Sequence, residues 1–348
     1  MPERVLKGAI IGLGNVAVNG HLPGWCACPE VRIVAATDAD PKRLTEIEKA
    51  PYAIAWSATV DDLFRRGDLD FVDIATPPAS HARLIRSALE RGIHVLCEKP
   101  LVTEAGDIAG LADLARGRNL ALHTVHNWLK APGARAITAA LAKGAVGPVR
   151  RIEWATLRTR PAVTVATDGA SNWRTDAAIA GGGILIDHGW HALYCVARWM
   201  GVEPREVAAG LEIRGAGAGG IEDTATVVLR APQVEAEIFL TWTADRRENR
   251  IAIAGRDGTL TLVGPALTLE RPGRDPERTP CAPALEEGSH HPDWFGGVVE
   301  DFLASMRSAN PSESANLGEA SLCARLIEAA KRSSAAGGAP QSLASAPL

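Results

Sequence analysis

The stretch Lys7-Gly-Ala-Ile-Ile-Gly-Leu-Gly-Asn-Val-Ala17 decides the fold of the first part of this chain, because it joins a short apolar run to a glycine turn. The turn has the form Gly12-x-Gly14-x-x-Ala17. In this pattern the first glycine permits a tight bend, the second lets a pyrophosphate approach the backbone, and the small third residue lets the next helix pack closely. The N–H groups at the start of that helix favour phosphates. The stretch therefore predicts a strand, a turn and a helix that bind a dinucleotide.

A second predicted strand, Val31–Asp38, ends in an acid about twenty residues after the glycine turn, as dinucleotide-binding folds require. A carboxylate at this place accepts hydrogen bonds from the adenosine ribose. Asp38 could instead cap the following helix, although Asp40 before Pro41 suits that role better. The basic pair Lys42-Arg43 could favour a 2′-phosphate. We therefore expect NAD as the cofactor, with NADP possible.

Strands continue to alternate with helices as far as residue 125. The further predicted strands are Asp70–Thr76, Ile93–Cys97 and Leu120–Val125, and the helices between them are Ala82–Arg91 and Thr103–Arg116. Such alternation predicts an α/β fold with a parallel, doubly wound sheet. We assign residues 1–125 to this dinucleotide-binding domain.

The triplet Glu98-Lys99-Pro100 directly follows one of these strands. Proline cannot donate to a ladder and biases the residue before it toward extended geometry, so Lys99 should lie just past the carboxyl end of the strand. Ligands bind at that edge of open α/β sheets. A lysine there could donate a proton to a substrate oxygen if its neighbours lower its pKa. The alternative is a surface lysine that pairs with Glu98.

The sequence pattern changes after residue 125. Closely spaced β-like runs then follow at 149–158, 205–213, 224–230, 234–243, 248–254 and 258–263. Their short connections predict a mostly antiparallel sheet, with one face on helices and the other solvated or in a subunit interface. We assign residues 126–333 to a second, α+β domain. The tail at 334–348 is rich in Ala, Gly, Ser and Pro, and its composition predicts disorder.

A glycine triplet at 181–183 precedes a predicted helix that carries Asp187 and His191. Residues four apart share a helix face, and a carboxylate one turn from an imidazole can handle a proton. A metal site would need a third ligand, and His188 should point elsewhere on the helix. In the structural alternative, Asp187 favours the helix dipole and His191 is a packed core histidine.

The composition excludes several classes of protein. A length of 348 residues with 46% hydrophobic residues suits two packed domains. The formal net charge of −4 argues against nucleic acid or an anionic membrane as a partner. No apolar run approaches the ~18 residues of a membrane span, and no signal-peptide pattern is expected. The six scattered cysteines form no Cys-x-x-Cys pair, which predicts reduced thiols in a cytoplasmic protein.

Taken together, these motifs resemble the Gfo/Idh/MocA family of nicotinamide-dependent oxidoreductases, named for glucose–fructose oxidoreductase and inositol dehydrogenase. The resemblance spans about residues 5–330. The motifs are the glycine turn, Ala75-Thr-Pro-Pro-x-x-His81, Glu98-Lys-Pro100, Asn172-Trp-Arg174 and Gly181-Gly-Gly-x-Leu-x-Asp187-x-Gly-x-His191. The resemblance implies an N-terminal Rossmann domain and a C-terminal α+β domain with an open, mostly antiparallel sheet. It also implies that substrate binds between them, against the nicotinamide.

The same resemblance implies roles for individual residues. Lys99, Asp187 and His191 match the usual catalytic positions of the family. The implied cofactor-binding residues are Gly12, Gly14, Asn15, Val16, Asp38, Thr76, Pro77, His81, Glu98, Lys99, Trp173 and Arg174. No metal is expected. This chain departs from the family at Tyr194, where many members carry an aspartate three residues after the catalytic histidine.

These features predict an NAD(P)-dependent dehydrogenase that transfers hydride between the nicotinamide and a secondary alcohol of a sugar, inositol or related polyol. His191 would take the hydroxyl proton, Lys99 would position the oxygen, and Asp187 would assist, although the first two roles could be exchanged. The alternatives are a hydrolase or lyase that uses bound cofactor for transient oxidation, and a non-catalytic cofactor-binding regulator. We expect a homodimer or homotetramer assembled through the C-terminal sheet.

Overall fold

The computed structural model describes residues 4–163, 172–215, 220–288 and 290–343. The chain divides into two compact units. The first unit comprises Met1–Asn127 and Gly288–Ser321, and the second comprises Trp128–Glu287 and Leu322–Leu348.

The helices are mostly short, and several begin with tighter or wider turns. They are α1 (Leu22–Cys26), α2 (Leu44–Ile47), α3 (Val60–Phe64), α4 (His81–Glu90), α5 (Gly106–Arg118), α6 (Pro132–Ala142), α7 (Ala177–Ala180), α8 (Trp190–Met200), α9 (Pro292–Arg307) and α10 (Ala315–Ala335). Pro41–Arg43, Pro78–Ser80, Asn127–Lys130 and Trp173–Thr175 are 3₁₀ turns, and Ala17–His21 and Leu185–Gly189 are π-helical turns. Within the described ranges, no helix is both long enough and apolar enough to cross a membrane.

The first unit is built on a parallel sheet of six strands. They are β1 (Leu6–Ile11), β2 (Val31–Thr37), β3 (Ala55–Trp56), β4 (Phe71–Ile74), β5 (His94–Cys97) and β6 (Leu122–Thr124). Their order, β3-β2-β1-β4-β5-β6, reverses direction between β1 and β4. This is the doubly wound order of dinucleotide-binding folds, in which ligands bind at the carboxyl edge near the reversal. The predicted fold class is confirmed.

Local capping explains several helix boundaries in the first unit. The Asp40 side chain accepts a hydrogen bond from the Lys42 N–H, so it is the cap that the sequence predicted. Thr59 caps α3 in the same way by accepting from Asp62 N–H. Asn119 ends α5 in the left-handed region, at φ 53°.

The segment 288–321 lies in the first unit, although the sequence pattern predicts it in the second domain. The physical reason is the aromatic packing of α9. Phe302 lies 5.6 Å from Phe71 and 6.3 Å from Trp25, and Phe295 lies 5.6 Å from Trp25, measured between ring centroids. All four rings are almost fully buried. A helix distant in sequence therefore completes the core around β4 and α1.

The second unit contains a mixed sheet of nine strands. They are β7 (Val149–Leu157), β8 (Glu206–Glu212), β9 (Thr224–Ala231), β10 (Val234–Thr241), β11 (Glu248–Gly255), β12 (Thr259–Val263), β13 (Ala266–Glu270), β14 (Glu277–Pro280) and β15 (Gln341–Ser342). Their order is β14-β13-β12-β11-β7-β10-β9-β8-β15, and β7 pairs with β10 in parallel. The mostly antiparallel sheet is confirmed, although the sequence predicted only β7 to β12.

The tail differs from its prediction over residues 334–343. Helix α10 continues to Ala335, and β15 pairs with β8, where Gln341 lies opposite Val207. Ser333 accepts a hydrogen bond from Ala209 N–H at 2.9 Å and donates to the Ala339 carbonyl at 2.8 Å. Side-chain hydrogen bonds of this kind order a segment that composition alone marks as disordered. Residues 344–348 lie outside the described ranges.

Candidate functional site

The glycine turn follows β1 at the carboxyl edge of the first sheet. Gly12 has φ +93°, and a Cβ there would lie 2.8 Å from the Ala75 carbonyl oxygen, so only glycine fits. At Gly14, by contrast, a Cβ would meet no atom of the described chain within 4 Å. Packing within the protein therefore does not require glycine at this position. A pyrophosphate held against the backbone would require it, so the turn fits a dinucleotide.

The helix that follows starts at this turn, because the Val18 N–H donates to the Gly14 carbonyl at 3.0 Å. Its first N–H groups, which belong to residues such as Asn15 and Val16, therefore lie beside the glycine turn. Such groups have no partner within their own helix and favour phosphate oxygens.

Asp38 follows β2 at the same edge of the sheet. Its carboxylate accepts one hydrogen bond from Leu13 N–H at 2.6 Å and another from Asp40 N–H at 2.8 Å. These bonds fix the carboxylate beside the glycine turn. A carboxylate has about four acceptor sites, so capacity remains for two ribose hydroxyls. Because Asp40 is the helix cap, the capping alternative for Asp38 is removed.

The loop after β4 contains Thr76, Pro77 and His81. The Thr76 hydroxyl lies 2.6 Å from the Ser80 hydroxyl. The ring of His81 is fully buried, and its two nitrogens each lie 2.8 Å from a carbonyl oxygen, one of Thr76 and one of Pro100. Burial lowers the pKa of His81. The ring therefore joins two loops at the carboxyl edge of the sheet, and its predicted contact with the cofactor stays a prediction.

Glu98 and Lys99 follow β5, as the sequence predicted. Glu98 N–H donates to the Ile74 carbonyl at 2.8 Å, and Lys99 N–H donates to the Glu98 carboxylate at 2.9 Å. Lys99 is half-buried. Since β1, β2, β4 and β5 are parallel, the glycine turn, Asp38, Thr76 and Lys99 lie at one edge of the sheet.

Two further polar groups at this sheet were not found from the sequence. His21 contacts both Asp73 and Glu98 in the interior of the first unit. His126, just after β6, is buried with its Nδ1 3.4 Å from the Glu319 carboxylate. The available signals were an aspartate inside the apolar strand β4 and a histidine directly after a strand end.

In the second unit, the glycine triplet packs tightly against Glu222. A Cβ at Gly183 would lie 1.9 Å from the Glu222 carbonyl oxygen, and the Gly183 N–H donates to the Glu222 carboxylate at 2.8 Å. Burial raises the pKa of Glu222. Glu222 thus fixes the start of the π-helical turn, a role that the sequence analysis did not assign.

Asp187 lies within this π-helical turn, beside Arg174 and His188. Its Oδ1 is 3.8 Å from Arg174 Nε, and its Oδ2 is 3.2 Å from His188 Nδ1. The Arg174 guanidinium also lies over the ring of Trp173, 4.3 Å from its centroid. The structure therefore brings Trp173, Arg174 and Asp187 together. It also places His188 beside Asp187, whereas a regular α-helix predicted from the sequence would point His188 elsewhere.

His191 is 7% exposed and held on two sides. Its Nδ1 lies 2.8 Å from the Tyr194 hydroxyl, which also accepts a hydrogen bond from Trp128 N–H at 3.0 Å. The ring stacks on Trp128 with centroids 4.5 Å apart and planes within 7°. Tyr194, the departure from the family pattern, therefore fixes the orientation of the imidazole.

The predicted site residues thus fall into two groups. The first unit gathers the cofactor residues and Lys99 at the carboxyl edge of its sheet, and the second gathers Trp173, Arg174, Asp187 and His191 around the start of α8. Within the described ranges, no group of three His, Cys, Asp or Glu side chains could hold a metal ion.

Comparison with known proteins gives matches over both units. Residues 6–126 match the model described as the Gfo/Idh/MocA oxidoreductase family with an NAD-binding Rossmann fold, and residues 134–261 match that of the GFO/IDH/MocA C-terminal domain. The dTDP-3,4-didehydro-2,6-dideoxy-α-D-glucose 3-reductase of Streptomyces violaceoruber is 28% identical over 333 residues, which cover 91% of this chain and 90% of the relative. The D-apiose dehydrogenase of Paraburkholderia graminis is 29% identical over 282 residues, covering 79% and 72%.

The fold is also shared with solved structures. An oxidoreductase from Agrobacterium radiobacter, crystallised with NAD⁺, L-tartaric acid and magnesium, superposes with a TM-score of 0.84 at 23% identity. The match covers 97% of this chain and 98% of the other. At this level of identity the likeness supports the fold.

Proposed function

Since the chain belongs to the Gfo/Idh/MocA oxidoreductase family, we propose that it transfers hydride between NAD and a secondary alcohol of a sugar, inositol or related polyol. One observation carries this proposal. The glycine turn, with free space beside Gly14, and Lys99 lie at the same edge of the Rossmann sheet. The relatives named as a dideoxyglucose 3-reductase and as D-apiose dehydrogenase support a carbohydrate substrate.

The residues of the first unit fit the cofactor as follows. The turn from Gly12 through Asn15 and Val16 would hold the pyrophosphate, and Asp38 would hold the adenosine ribose. Thr76, Pro77 and Glu98 lie at the same edge and would hold the nicotinamide half. When bound, NAD supplies the hydride acceptor, and the protein supplies orientation and electrostatics.

Lys99, Asp187 and His191 are the proposed catalytic residues. During oxidation of the alcohol, His191 takes the hydroxyl proton through its Nε2, since its Nδ1 faces Tyr194. The Lys99 ammonium binds the same oxygen and stabilises the charge that develops on it. Asp187, in contact with Arg174 and His188, stabilises the positive charge that His191 gains.

Turnover with a panel of sugars and inositols tests the function directly. We expect a steady change in nicotinamide absorbance that is equimolar with the oxidised product. A hydrolase or lyase that uses transient oxidation would form product without net absorbance change, and a regulator would bind cofactor without turnover. Either result would contradict the proposal. Analogues that lack the secondary hydroxyl are the matched blank.

NAD should bind at least ~10-fold more tightly than NADP, a difference of about 1.4 kcal/mol. The reason is that the Asp38 carboxylate, fixed by two backbone N–H groups, would repel a 2′-phosphate. Titration of both cofactors by intrinsic fluorescence measures the ratio. Asp38→Asn should narrow it, whereas Lys42→Gln should leave it unchanged. Tighter binding of NADP by the unmodified protein would show that the basic pair Lys42-Arg43 dominates.

We further propose a homodimer or homotetramer formed through the outer face of the second sheet. Phe239 lies on this face, paired in register with Ala155 and Thr226, and all three are only partly buried. Beside them, Arg151 forms ion pairs at 3.0 Å with Glu235 and Glu237. A partly exposed apolar centre with a charged border suits a subunit interface.

Phe239→Asp should convert the assembly to monomers, because it would bury a carboxylate at the centre of this face. Size-exclusion chromatography with light scattering gives the mass. Val202→Asp is the matched control, since Val202 is 43% exposed and lies just after the end of α8, outside the strands of the sheet. An unchanged mass for the Phe239 variant, or a monomeric unmodified protein, would rule out this interface.

A cytoplasmic location is proposed as well. The six cysteines form no disulfide within the part of the chain that the structure describes, and Cys97, Cys195, Cys281 and Cys323 are buried. Thiols of this kind suit a reducing compartment. Cell fractionation checks the location, and recovery of the protein outside the cytoplasm would contradict it.

A further inference from the structure

The side chains of Asp73, His21 and Glu98 form a continuous network of contacts inside the first unit. His21 Nδ1 lies 3.1 and 3.0 Å from the two carboxylate oxygens of Asp73, and its Nε2 lies 3.1 Å from Glu98 Oε1. His21 is 1% exposed and Asp73 is fully buried. His21 and Asp73 do not belong to the predicted site residues, yet their contact network reaches Glu98, the residue directly before Lys99.

The backbone and the packing around His21 fix its ring in this position. The residue ends the π-helical turn Ala17–His21, which follows the glycine turn. A Cβ at the preceding Gly20 would lie 2.6 Å from the His290 carbonyl oxygen, so the turn fits closely against its neighbour. Phe295 of α9 stacks on the imidazole with ring centroids 4.0 Å apart and planes within 12°. The ring therefore has no room to take another orientation.

The surroundings of His21 favour the imidazolium. Burial by itself lowers the pKa of His21, but Asp73 and Glu98 outweigh this and raise the pKa to about 10. Burial by itself raises the pKa of the Glu98 carboxyl, but His21 and Lys99 outweigh this and hold that pKa below its usual value. Trp25 donates a further hydrogen bond to Asp73 at 2.7 Å. The neighbouring Cys97 is buried, which raises the pKa of its thiol and keeps it neutral.

The carboxylate of Glu98 uses both oxygens in this arrangement. Oε1 faces His21, and Oε2 accepts the hydrogen bond from the Lys99 N–H at 2.9 Å. A neutral Glu98 would carry a proton on one oxygen and would no longer offer either contact the stronger acceptor of an ionised carboxylate. The charge on His21 and the backbone position of Lys99 are therefore connected through one side chain.

We propose that His21 is a positioning residue of the reaction, which as a charged imidazolium keeps Glu98 ionised and so holds Lys99 in its working position. The inference rests on the proposed catalytic role of Lys99. It adds that the helix of the glycine turn and the Lys99 segment are joined by the buried charges of Asp73, His21 and Glu98.

His21→Asn should lower kcat by ~10- to 100-fold with a smaller change in KM, because a displacement of about 1 Å at a catalytic group costs up to ~100-fold. The pH profile of kcat/KM should also change. Without the imidazolium, Glu98 is harder to ionise, so its pKa rises and its protonation adds a second limb on the acid side of the profile, separate from that of His191. In the double variant His21→Asn with Glu98→Gln, this added limb should be absent.

A merely structural role for His21 predicts a different result, namely a lower Tm with an unchanged pH profile in the folded fraction. That outcome would overturn the inference. His94→Asn is the matched control, since His94 begins the same strand β5 and accepts a hydrogen bond from Ala121 N–H at 2.8 Å. We expect this variant to keep the pH profile of the unmodified protein.

The charge on His21 can also be measured without activity. In ¹⁵N-histidine-labelled protein at pH 8, the imidazole nitrogen shifts of His21 should be those of an imidazolium, and neutral shifts would overturn the inference even if His21→Asn fails to fold. The two proposals fail separately. An active Lys99→Ala enzyme refutes the role of Lys99, whereas an inactive Lys99→Ala enzyme with an unchanged His21→Asn pH profile refutes only the role of His21.

Discussion

Lys99→Ala is expected to lower kcat by at least ~100-fold, the lower range for loss of an acid–base or charge-stabilising group. The position of Lys99 after β5 explains why. It lies at the carboxyl edge of the sheet with the glycine turn and Asp38, and its N–H is fixed by Glu98. Affinity for NAD should change far less, because the pyrophosphate and ribose contacts come from other residues. Steady-state absorbance measures kcat, and stopped-flow measurement of NAD binding gives the affinity.

The controls for this prediction separate charge from chemistry. Lys99→Arg keeps a cation but not the compact ammonium, so kcat should remain low. Lys7→Ala removes a lysine of the same unit that pairs with Asp68 at 3.0 Å, and it should leave kcat near normal. A near-normal kcat in Lys99→Ala would contradict the proposed catalytic role of Lys99 and the catalytic centre built on it.

His191→Asn is expected to lower kcat by ~100-fold, because asparagine cannot accept the hydroxyl proton. The acid limb of the pH–rate profile should shift or vanish, since it reports the titration of the imidazole. Loss of stacking on Trp128 should cost only about 1 kcal/mol of the free energy of unfolding. Steady-state kinetics across pH, with thermal unfolding of the same samples, provide both measurements.

Tyr194→Phe gives a graded comparison for this second prediction. It keeps the ring and removes the hydroxyl that contacts His191 Nδ1 and Trp128 N–H. Its kcat should therefore fall less than that of His191→Asn, and the acid limb should move without vanishing. If His191→Asn instead melts early and its folded fraction retains full activity, His191 is a core histidine and not a base.

The sequence was sufficient for five of the six strands of the first sheet, all except β3, because their signals are local. The strand before Lys99 was predicted to end at Cys97, and β5 ends there. Proline and glycine at strand and helix ends, together with apolar runs, carry this information. The roles of Lys99, Asp187 and His191 stay predictions, since they depend on a bound substrate.

The contacts that the sequence could not show are those between distant positions. Asp73 was visible as a charge inside an apolar strand, but its partner His21 lies 52 residues away. No periodicity connects them. For the same reason the sequence did not show that α9, near the end of the chain, packs on α1 and belongs to the first unit. Strands β13 and β14 were missed because all of their residues except Leu267 are partly or wholly exposed, and no clear apolar run marks them.

The two π-helical turns have a consequence for how such a protein can evolve. A π-turn holds one residue more than an α-helical turn, and the excess is absorbed locally. The helix beyond it keeps its apolar stripe against the sheet, as α1 and α8 do. His21 lies in one π-helical turn and Asp187 in the other, so these two residues need not follow the 3.6-residue spacing of the α-helix that packs on the core. Selection can therefore adjust these two side chains by insertion or deletion at the turn while the surrounding core is inherited unchanged.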